Sequence, residues 1–447
     1  MRVRAAISSS FLLIATLLAA CAGPHAGNDA VPAGPQALAS LRRNAGPAGV
    51  IKHVIIVIQE NRTPDNLFQG LKGADIATSG LNSMGQTVPL HPVKLEAHYD
   101  PSHSHPSLVT EWDKGAMDGF DKDPYLGYCK TSYGTCAYGY VPKYENKPYV
   151  QMAEQYAFAD RMFETNMGPS FPAHQYLISG TSTVTTNSKY KAADNPYTRT
   201  GHASGGGCES PPGALVLTID PKGVEGNPVY PCFERPTLGD LLDAQHVSWR
   251  YYQYKSGQGL WHAYDAVKHI EQGPDIRNVL VPSDIVLNNI KNNALASVSW
   301  VTPSGADSDH SGTKSNGGPA WVSDIVNTVG ASPYWNDCAI FILWDDPGGW
   351  YDHVSPQVFN SYELGFRIPL IVVSPYAKTG YVSHTQYEFG SVLKFVEETF
   401  STGSLNTTDV RANSPDDMFN FAQRPRAFVK IDAPVWHPGD PNVPDSD

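Results

Sequence analysis

The pair Glu60-Asn61 has the residue types and the position expected of a metal site. It comes just after five branched apolar residues, 54–58, which predict a fully buried strand and are followed at once by polar residues. In open α/β sheets, ligands bind at the carboxyl ends of the strands. Carboxylate and amide oxygens suit a hard divalent cation better than they suit a hydrophobic core. The alternative is a plain strand-ending turn, because Asn, Thr-Pro and Asp also favour turns.

A second acidic pair, Asp345-Asp346, occupies the same kind of position. It follows the apolar run 338–344. Adjacent carboxylates repel each other unless a cation or a proton lies between them, and a metal ion would relieve that repulsion. The alternative is a solvated acidic turn, because Asp-Pro-Gly-Gly strongly favours turns. Asp352-His353 adds an acid–imidazole pair within the same loop.

Two further segments carry imidazoles near carboxylates. His103 belongs to the run DPSHSH that starts at Asp100, and His310 follows Asp307 and Asp309 after another apolar run. Each imidazole is a candidate phosphate donor or metal ligand. A lone histidine in a loop is more often an ordinary surface residue, and for each segment alone that alternative stays open.

Ser170 is the candidate nucleophile. It lies in the run GPSFP, where the flanking prolines favour a rigid loop before a helix that we expect to start near residue 175. A helix N-terminus presents free N–H groups, which favour a developing alkoxide. Most serines beside prolines are turn residues, and this is the alternative. The chain has no Gly-x-Ser-x-Gly motif, which argues against an ordinary esterase.

The apolar patterning predicts an α/β fold with a mostly parallel central sheet and helices on both faces. Strands and helices alternate, with strands at 54–58, from 247, at 296–302, 338–344 and 368–373, and helices at about 149–163, 236–246, 321–329 and 392–396. Such alternation is typical of parallel sheets that are covered on both sides. A parallel sheet would bring the polar segments described above to one edge.

The N-terminus has the features of an export signal. Arg2 and Arg4 precede the apolar run 11–20, which is too short for a stop-transfer helix. The run ends in Leu-Ala-Ala-Cys, which resembles the lipobox of bacterial lipoproteins, so we expect Cys21 to carry a lipid anchor to the membrane. Cleavage at a small-residue site, which would give a secreted protein, is the alternative.

The composition predicts that the chain has four successive parts. We expect a signal peptide with its lipobox at 1–21, a flexible Ala/Gly/Pro-rich linker at 22–50, one catalytic domain at 51–430 with a loop-rich insertion at about 183–235, and an irregular tail at 431–447. The formal net charge of −12 argues against nucleic acid as a partner, because phosphate backbones require clustered Lys and Arg.

Cysteine usage fits an exported protein. Cys129 and Cys136 are candidates for one disulfide, and Cys208 and Cys232 for another that closes a longer loop. Cys338 opens an apolar run and is expected to be a buried free thiol. The absence of Cys-x-x-Cys pairs from the sequence argues against a zinc–thiolate site.

Together these segments resemble a bacterial phosphoesterase family that contains phosphatidylcholine-type phospholipases C and AcpA-like acid phosphatases, within the alkaline-phosphatase superfamily. The matching runs are HVIIVIQENRTPDNLF, DPSHSH with GAMDGF, GPSFPAHQYLISGTS, SDH, ILWDDPGGWYDHVSP and GFRIPLIVVSPYAKTGYVSHTQYEFGSVLKFVEETF. The resemblance extends over about residues 51–400. It implies an alkaline-phosphatase-like α/β fold.

The resemblance also implies a metal-dependent phosphoric ester hydrolase with a serine nucleophile and a phosphoserine intermediate. The implied positions are Glu60, Asn61, Asp345 and Asp346 around a divalent metal, Ser170 touching that metal, and His103, His310 and His353 around the phosphoryl oxygens. One metal is expected, and a second is open because Asp309, Asp352 and the histidines could complete another site. The family's Asn three residues after the nucleophile is Ala173 here, and His384 matches a family histidine without an assigned role.

The expected substrate is a phosphomonoester, as for acid phosphatases, or a small phosphodiester. Haemolytic phospholipases C of the family usually extend further after the last core helix, which favours this interpretation over a phospholipase C, the alternative. The aromatic-rich region 247–265 could supply an apolar rim for a lipid, although packing in the core is the favoured interpretation. A non-catalytic surface lipoprotein would have lost the nucleophile or the carboxylates, and a sulfatase would need an Arg shortly after Ser170. The sequence does not predict the oligomeric state.

Overall fold

The computed structural model describes residues 46–123, 135–198 and 205–438, together with the backbone of 201–202. The predicted signal peptide, Cys21 and nearly all of the linker lie outside these residues, as does Cys129 of one predicted disulfide. Within the part of the chain that is described, no helix is both long and apolar enough to cross a membrane.

A twisted eight-stranded sheet forms the centre of the described residues. Its strands in chain order are β1 (His53–Gln59), β2 (Ala157–Phe163), β3 (Trp249–Tyr252), β4 (Val279–Leu280), β5 (Val298–Val301), β6 (Cys338–Trp344), β7 (Arg367–Val373) and β8 (Tyr381–Ser383). They lie in the order β4-β3-β5-β1-β6-β7-β2-β8. Only β7 runs antiparallel to its neighbours. The prediction of a mostly parallel α/β sheet is confirmed.

The described residues also form nine α-helices. They are α1 (Pro64–Leu67), α2 (His105–Trp112), α3 (Lys147–Gln155), α4 (Ser170–Ser179), α5 (Leu238–Ala244), α6 (Lys268–Glu271), α7 (Ile285–Lys291), α8 (Gly318–Gly330) and α9 (Phe389–Phe400). All residues of β6 and β7 are buried, because a parallel sheet of this kind is covered on both faces. The continuous apolar runs that predicted these strands follow from that burial.

The prediction of one helix over 149–163 is wrong in its second half. Helix α3 ends at Gln155, and Tyr156 leaves the helical region with φ −125° and ψ −140°. Residues 157–163 are strand β2, which lies between β7 and β8 and is buried at every position except Arg161. A short apolar run of this kind has the same periodicity in a buried helix as in a buried strand, so only the sheet distinguishes them.

The predicted insertion forms a small subdomain of its own. Lys191–Ala192, Val216–Ile219 and Glu225–Val229 make a three-stranded sheet. The remaining short strands pair as Ser79–Leu81 with Thr87–Pro89, His91–Pro92 with Gly139–Tyr140, and Tyr197–Thr198 with Gly201–His202. The disulfide between Cys208 and Cys232 is confirmed, and so is the buried free thiol of Cys338.

The chain returns to the body of the protein after α9. Residues 424–438, which we call the C-terminal strap, contain no helix or strand. The strap nevertheless packs against α8, and Ile431 in it is fully buried. The predicted irregular tail is therefore irregular as far as residue 438 and is attached to the fold.

Candidate active site

The pairs Glu60-Asn61 and Asp345-Asp346 lie side by side at the edge of the sheet where the parallel strands end. Strands β1 and β6 are parallel neighbours, and Gln59 is in register with Trp344, so both pairs leave the sheet at the same level. The Asp345 N–H donates to Gln59 O at 2.9 Å, and the Asn61 N–H donates to Asp345 Oδ1 at 3.2 Å. All four side chains of the two pairs are fully buried. The hydrogen bonds between β1 and β6 thus bring together two segments that are far apart in sequence.

Ser170 reaches this cluster from β2, which lies two strands beyond β6 in the sheet. It follows β2 and is the first residue of α4, after the extended Pro169. Its Oγ lies 3.1 Å from Glu60 Oε2 and 3.1 Å from Asp346 Oδ2. The hydroxyl therefore faces two proton acceptors while the N-terminus of α4 favours negative charge on its oxygen.

His174, to which the sequence analysis assigned no role, belongs to the same cluster. Its Nε2 lies 2.9 Å from Glu60 Oε1 and 3.7 Å from Asp345 Oδ2. It is one turn after Ser170 on α4, and residues four apart share one face of a helix. That spacing would have identified His174 had the helix been expected to begin at Ser170 rather than near residue 175.

His103 and His310 face the cluster from two separate loops. The Nδ1 atom of His103 lies 2.9 Å from Pro101 O, and that of His310 lies 2.5 Å from Ser311 O. Because a carbonyl oxygen only accepts, Nδ1–H is the donor in both rings. Nε2 is then the atom that each ring presents to the site, at 3.0 and 3.1 Å from the Asn61 amide nitrogen.

The orientation of the Asn61 amide tests whether a cation fits. Its oxygen faces carboxylate oxygens, 3.1 Å from Glu60 Oε2 and 3.2 Å from Asp345 Oδ1, while its nitrogen faces the two imidazoles. Facing acceptors repel, and turning the amide over would remove the conflict. A cation between these oxygens would remove it too. Asp345 Oδ2, buried and without a hydrogen-bond partner among the described residues, adds a further orphan acceptor.

These donors suit a divalent cation. Glu60, His174 and Asp345 each offer one ligand atom, and these three atoms lie within 4.8 Å of one another. Carboxylate oxygens beside an imidazole nitrogen are common ligands of zinc and of similar divalent metals. Asp100, His103 and His310 make a second group of the same compactness, with Ser311 Oγ donating to Asp100 Oδ1 at 2.8 Å.

The loop after β6 is shaped by a glycine. Gly348 has φ +63° and donates its N–H to Asp346 Oδ1 at 2.7 Å. A Cβ at this position would lie 2.5 Å from Asn61 O, so only glycine allows the two acidic loops to approach this closely. Asn61 itself has φ +65°, a region that Asn tolerates better than most residues.

Arg62 and Asp309 lie beside the site, where Arg62 binds backbone carbonyls and the Asp309 carboxyl binds Tyr149. Arg62 Nε and Nη2 donate to Asp309 O at 3.0 and 2.6 Å, and Nη2 also donates to Leu95 O at 2.8 Å. The carboxyl of Asp309 accepts from Tyr149 OH at 2.7 Å. Burial raises the pKa of Asp309 to about 7, with Tyr149 and Arg62 opposing the shift only in part.

The structure does not bring His353 to this site. Its Nδ1 lies 2.7 Å from Asp65 Oδ2 and its Nε2 lies 3.1 Å from Asp75 Oδ1. Among the described residues, none of its contacts involves Ser170 or the carboxylates around it. Burial alone would lower the pKa of His353, but the hydrogen bond and the charge of Asp65 raise it above its ordinary value. The role of His353 beside the phosphoryl group stays a prediction, and its contacts in the structure are to Asp65, Asp75 and Arg367.

Asp352 is also engaged elsewhere. Arg367, the first residue of β7, binds it through Nε at 2.8 Å and Nη2 at 2.9 Å. Burial raises the pKa of Asp352 to about 6 although Arg367 opposes the shift. Because β7 is antiparallel, its first residue lies at the edge where the other strands end, so Arg367 meets these acidic residues. Asp352 is therefore part of an ion network with His353.

The aromatic-rich region 247–265 packs mainly in the core. Its buried members are Trp249, Tyr251, Tyr252, Trp261 and Tyr264. Trp261 stacks on His310 with ring centroids 6.3 Å apart and planes 29° apart. The expectation that these side chains pack inside holds, and Trp261 supports one of the site histidines.

The chain is similar to known phosphoesterases over most of its length. The model of the Phosphoesterase family matches residues 51–403. "Phospholipase C B" of Mycobacterium tuberculosis is 24% identical over 452 residues, covering 84% of this chain and 78% of that protein. "Non-hemolytic phospholipase C" of Burkholderia pseudomallei is 23% identical over 454 residues, covering 90% of this chain and 63% of that protein. A solved structure of a protein in the alkaline phosphatase superfamily from Vibrio parahaemolyticus matches 86% of this chain and 80% of its own, at 11% identity and a TM-score of 0.36, which is too low to support an argument.

Proposed function

The chain belongs to the phosphoesterase family and is a hydrolase of phosphoric esters, and we propose that it works with a divalent metal and with Ser170 as its nucleophile. One observation carries the proposal. Ser170 Oγ lies at the N-terminus of a ten-residue helix and 3.1 Å from each of two buried carboxylates. Such a hydroxyl has an acceptor for its proton and a dipole that favours the alkoxide.

The proposed metal ligands are Glu60, Asn61, Asp345 and Asp346, with Ser170 in contact and His174 as an additional ligand or a support for Glu60. The orphan Asp345 Oδ2 supports this donor set. A bound divalent cation would lower the pKa of the serine hydroxyl and neutralise charge on the phosphoryl group. Asp100, His103 and His310 are the group on which a second cation would depend.

The remaining chemistry is assigned to residues of the chain. Ser170 passes its proton to Glu60 or Asp346 and attacks phosphorus in line, so that an Oγ–P bond forms while the bond to the leaving oxygen breaks. His103 and His310 present Nε2 to the site, and in their protonated forms they donate to phosphoryl oxygens or protonate the leaving alcohol. Water then cleaves the phosphoserine, returning the proton to Ser170 and releasing phosphate or a phosphomonoester.

The proposed substrates are phosphomonoesters or small phosphodiesters. The burial of the aromatic side chains in 247–265 supports this choice, because those residues do not form an apolar rim for a lipid. The second candidate is a phospholipase C that cleaves phosphatidylcholine-type lipids. The similarity to two phospholipases C supports that candidate.

Hydrolysis of p-nitrophenyl phosphate and of p-nitrophenylphosphorylcholine tests both points. The wild type, Ser170→Ala and Ser179→Ala would be assayed with and without a chelator. Ser179, buried at the other end of α4, is the matched control, and its variant should keep full activity. Ser170→Ala should lower kcat/KM by at least about a thousandfold.

Three results would change the proposal. Turnover by Ser170→Ala at the wild-type rate would exclude the nucleophile, and activity indifferent to chelator would exclude the metal. A clear preference for the choline diester would replace the phosphatase interpretation with the phospholipase C one. Acid-quenched protein should carry phosphate on Ser170, which mass spectrometry of the tryptic peptide would show.

We also propose export with a lipid anchor on Cys21, which rests on sequence features alone. Cys21→Ser should release the protein from the membrane fraction into the soluble exported fraction. Unchanged membrane association of this variant would exclude the anchor.

A further inference from the structure

The C-terminal strap lies outside the segment that matches the family model. That match ends at residue 403, whereas the strap covers 424–438. Residues of the strap line two clefts of about 720 and 660 Å³.

Several contacts attach the first part of the strap to the body of the protein, and three of them involve α8 or the segment before β6. Arg426 O accepts from Trp335 Nε1 at 2.7 Å, and the Phe428 ring packs edge-on against Trp335 with centroids 4.9 Å apart. The side chain of Asn327 holds Ile431 from both sides, donating to its carbonyl at 3.1 Å and accepting from its N–H at 2.8 Å. These contacts join the strap to α8 and to the segment before β6.

The contact nearest the end of the strap, made by Trp436, differs from the others because it reaches a loop of the active site. Trp436 Nε1 donates to Asp307 Oδ1 at 3.0 Å, and its ring packs against Trp321 of α8 with centroids 4.9 Å apart. Asp307 is buried, and its other oxygen accepts from Ser304 Oγ at 2.7 Å. The Trp436 indole thus binds the loop 304–310 through Asp307.

The loop 304–310 makes direct contacts with the proposed metal and phosphate residues. Ser308 O accepts from the Glu60 N–H at 2.8 Å. Ser308 Oγ accepts from the His310 N–H at 3.1 Å, and the His310 ring lies 3.1 Å from the Asn61 amide nitrogen. A shift of this loop would therefore move His310 and Glu60 together.

We propose that Trp436 is a positioning residue, which acts through Asp307 to hold the loop 304–310 so that His310 faces the phosphoryl group. The inference rests on the proposed function, since it assumes that His310 contacts the substrate. Misplacing a reacting or positioning group by about 1 Å can lower the rate by about a hundredfold. The strap is thus a part of the active site's support that the family match does not include.

Trp436→Phe tests the proposal, because phenylalanine keeps an aromatic ring beside Trp321 and cannot donate to Asp307. Trp335→Phe is the matched control, since it removes the same kind of bond from the other end of the strap. We expect kcat for Trp436→Phe to fall by about tenfold, with metal content unchanged and KM changed less than kcat. Trp335→Phe should lower Tm at least as much and keep the wild-type kcat.

Hydrogen–deuterium exchange provides a readout that does not depend on turnover. Trp436→Phe should speed exchange in peptides that cover 304–312, and Trp335→Phe should not. Asp307→Ala should reproduce the loss in kcat, and the double variant should be no slower than the slower single variant. Equal losses of kcat in both tryptophan variants, or wild-type kcat and exchange in Trp436→Phe, would overturn the proposal. If Ser170→Ala left turnover intact, the exchange result would still decide whether the strap holds the loop.

Discussion

At the scale of single residues, the site is defined by negative charge that requires a partner. Glu60, Asp345 and Asp346 are fully buried around one serine hydroxyl. Like charges in a buried site disfavour each other's ionised forms, and removing them from water is costly. His174 offsets one charge at most. The cluster should therefore bind a divalent cation and be less stable without it.

Glu60→Gln should abolish metal binding and turnover without unfolding the protein. The amide keeps the shape of the carboxyl and removes one repulsive charge, so the Tm of the metal-free variant should equal or exceed that of the metal-free wild type. Adding metal should raise the Tm of the wild type only, because a ligand stabilises the folded state that binds it. Elemental analysis and thermal unfolding with and without chelator measure both effects.

Glu111→Gln is the matched control for this experiment. Glu111 is buried like Glu60, its oxygens have no hydrogen-bond partner among the described residues, and burial raises its pKa well above the ordinary range. Its variant should keep the wild-type metal content. A Glu60→Gln protein that binds metal as the wild type does would remove Glu60 from the ligand set.

His174→Gln should weaken metal binding by about 10- to 100-fold, as is usual when a residue supporting or completing a metal site is lost. The reason is its contact of 2.9 Å with Glu60 Oε1, which orients that carboxylate. Metal titration followed by activity gives the affinity. His91→Gln, in a short strand outside the cluster, should leave the affinity unchanged. Equal affinities of wild type and His174→Gln would reduce His174 to a packing residue.

At the scale of elements, the site depends on how closely two strand-ending loops approach. The loop after β1 and the loop after β6 touch at Asn61 and Gly348. Strand register brings β1 and β6 together. The loops that follow them fit only because Gly348 has no side chain where it meets Asn61. The geometry of the metal ligands therefore depends on a residue that carries no functional group.

Gly348→Ala should cost far more activity than Gly85→Ala, although both glycines have positive φ. A Cβ at Gly348 would lie 2.5 Å from Asn61 O, whereas a Cβ at Gly85 meets nothing within 4 Å. Backbone strain of about 1–2 kcal/mol is common to both variants. Only Gly348→Ala should also lose metal affinity. Urea unfolding and metal titration separate the two effects, and equal metal affinities would show that the contact with Asn61 is not limiting.

At the scale of the whole molecule, an ion network joins segments from three parts of the chain. His353 contacts Asp65 and Asp75, and Arg367 binds Asp352 and lies 3.3 Å from Asp65 Oδ1. These segments follow β1, follow β6 and open β7. The network ties the loops around the site to one another without supplying a group to it.

The charge of His353 makes this tie depend on pH. The pKa of His353 is raised above its ordinary value of 6.5, so its contribution to stability is fully present below 6.5 and is lost as pH rises through the folded-state pKa. The wild type should therefore lose more stability than His353→Gln as pH rises from about 5 to about 9. Urea unfolding across that range measures the difference.

His384→Gln is the control for the pH experiment. His384 also binds a carboxylate, Asp160, but its side chain is 59% exposed against 27% for His353. Solvent screens an exposed pair, so removing it should change the pH dependence little. Parallel pH profiles for the wild type and His353→Gln would show that the network does not titrate in this range.

Some features of this protein were determined by the sequence alone. The run 338–344 predicted β6 with correct ends, because a strand buried on both faces is apolar throughout and polar residues follow it at once. The resemblance placed Glu60, Asn61, Asp345 and Asp346 in one cluster, and the register of β1 with β6 brings both pairs to one edge of the sheet. Ser170, His103 and His310 lie beside these pairs, and their roles stay predictions.

The tertiary structure alone decided which of the remaining polar groups join that cluster. His174 belongs to it because α4 begins at Ser170, and His353 does not because the loop after β6 carries it to Asp65 and Asp75. Local pattern specifies where a strand ends, since burial imposes it residue by residue. Loop paths, the reversal of β7 and the return of the strap to Asp307 depend on contacts between distant segments, which no local pattern encodes.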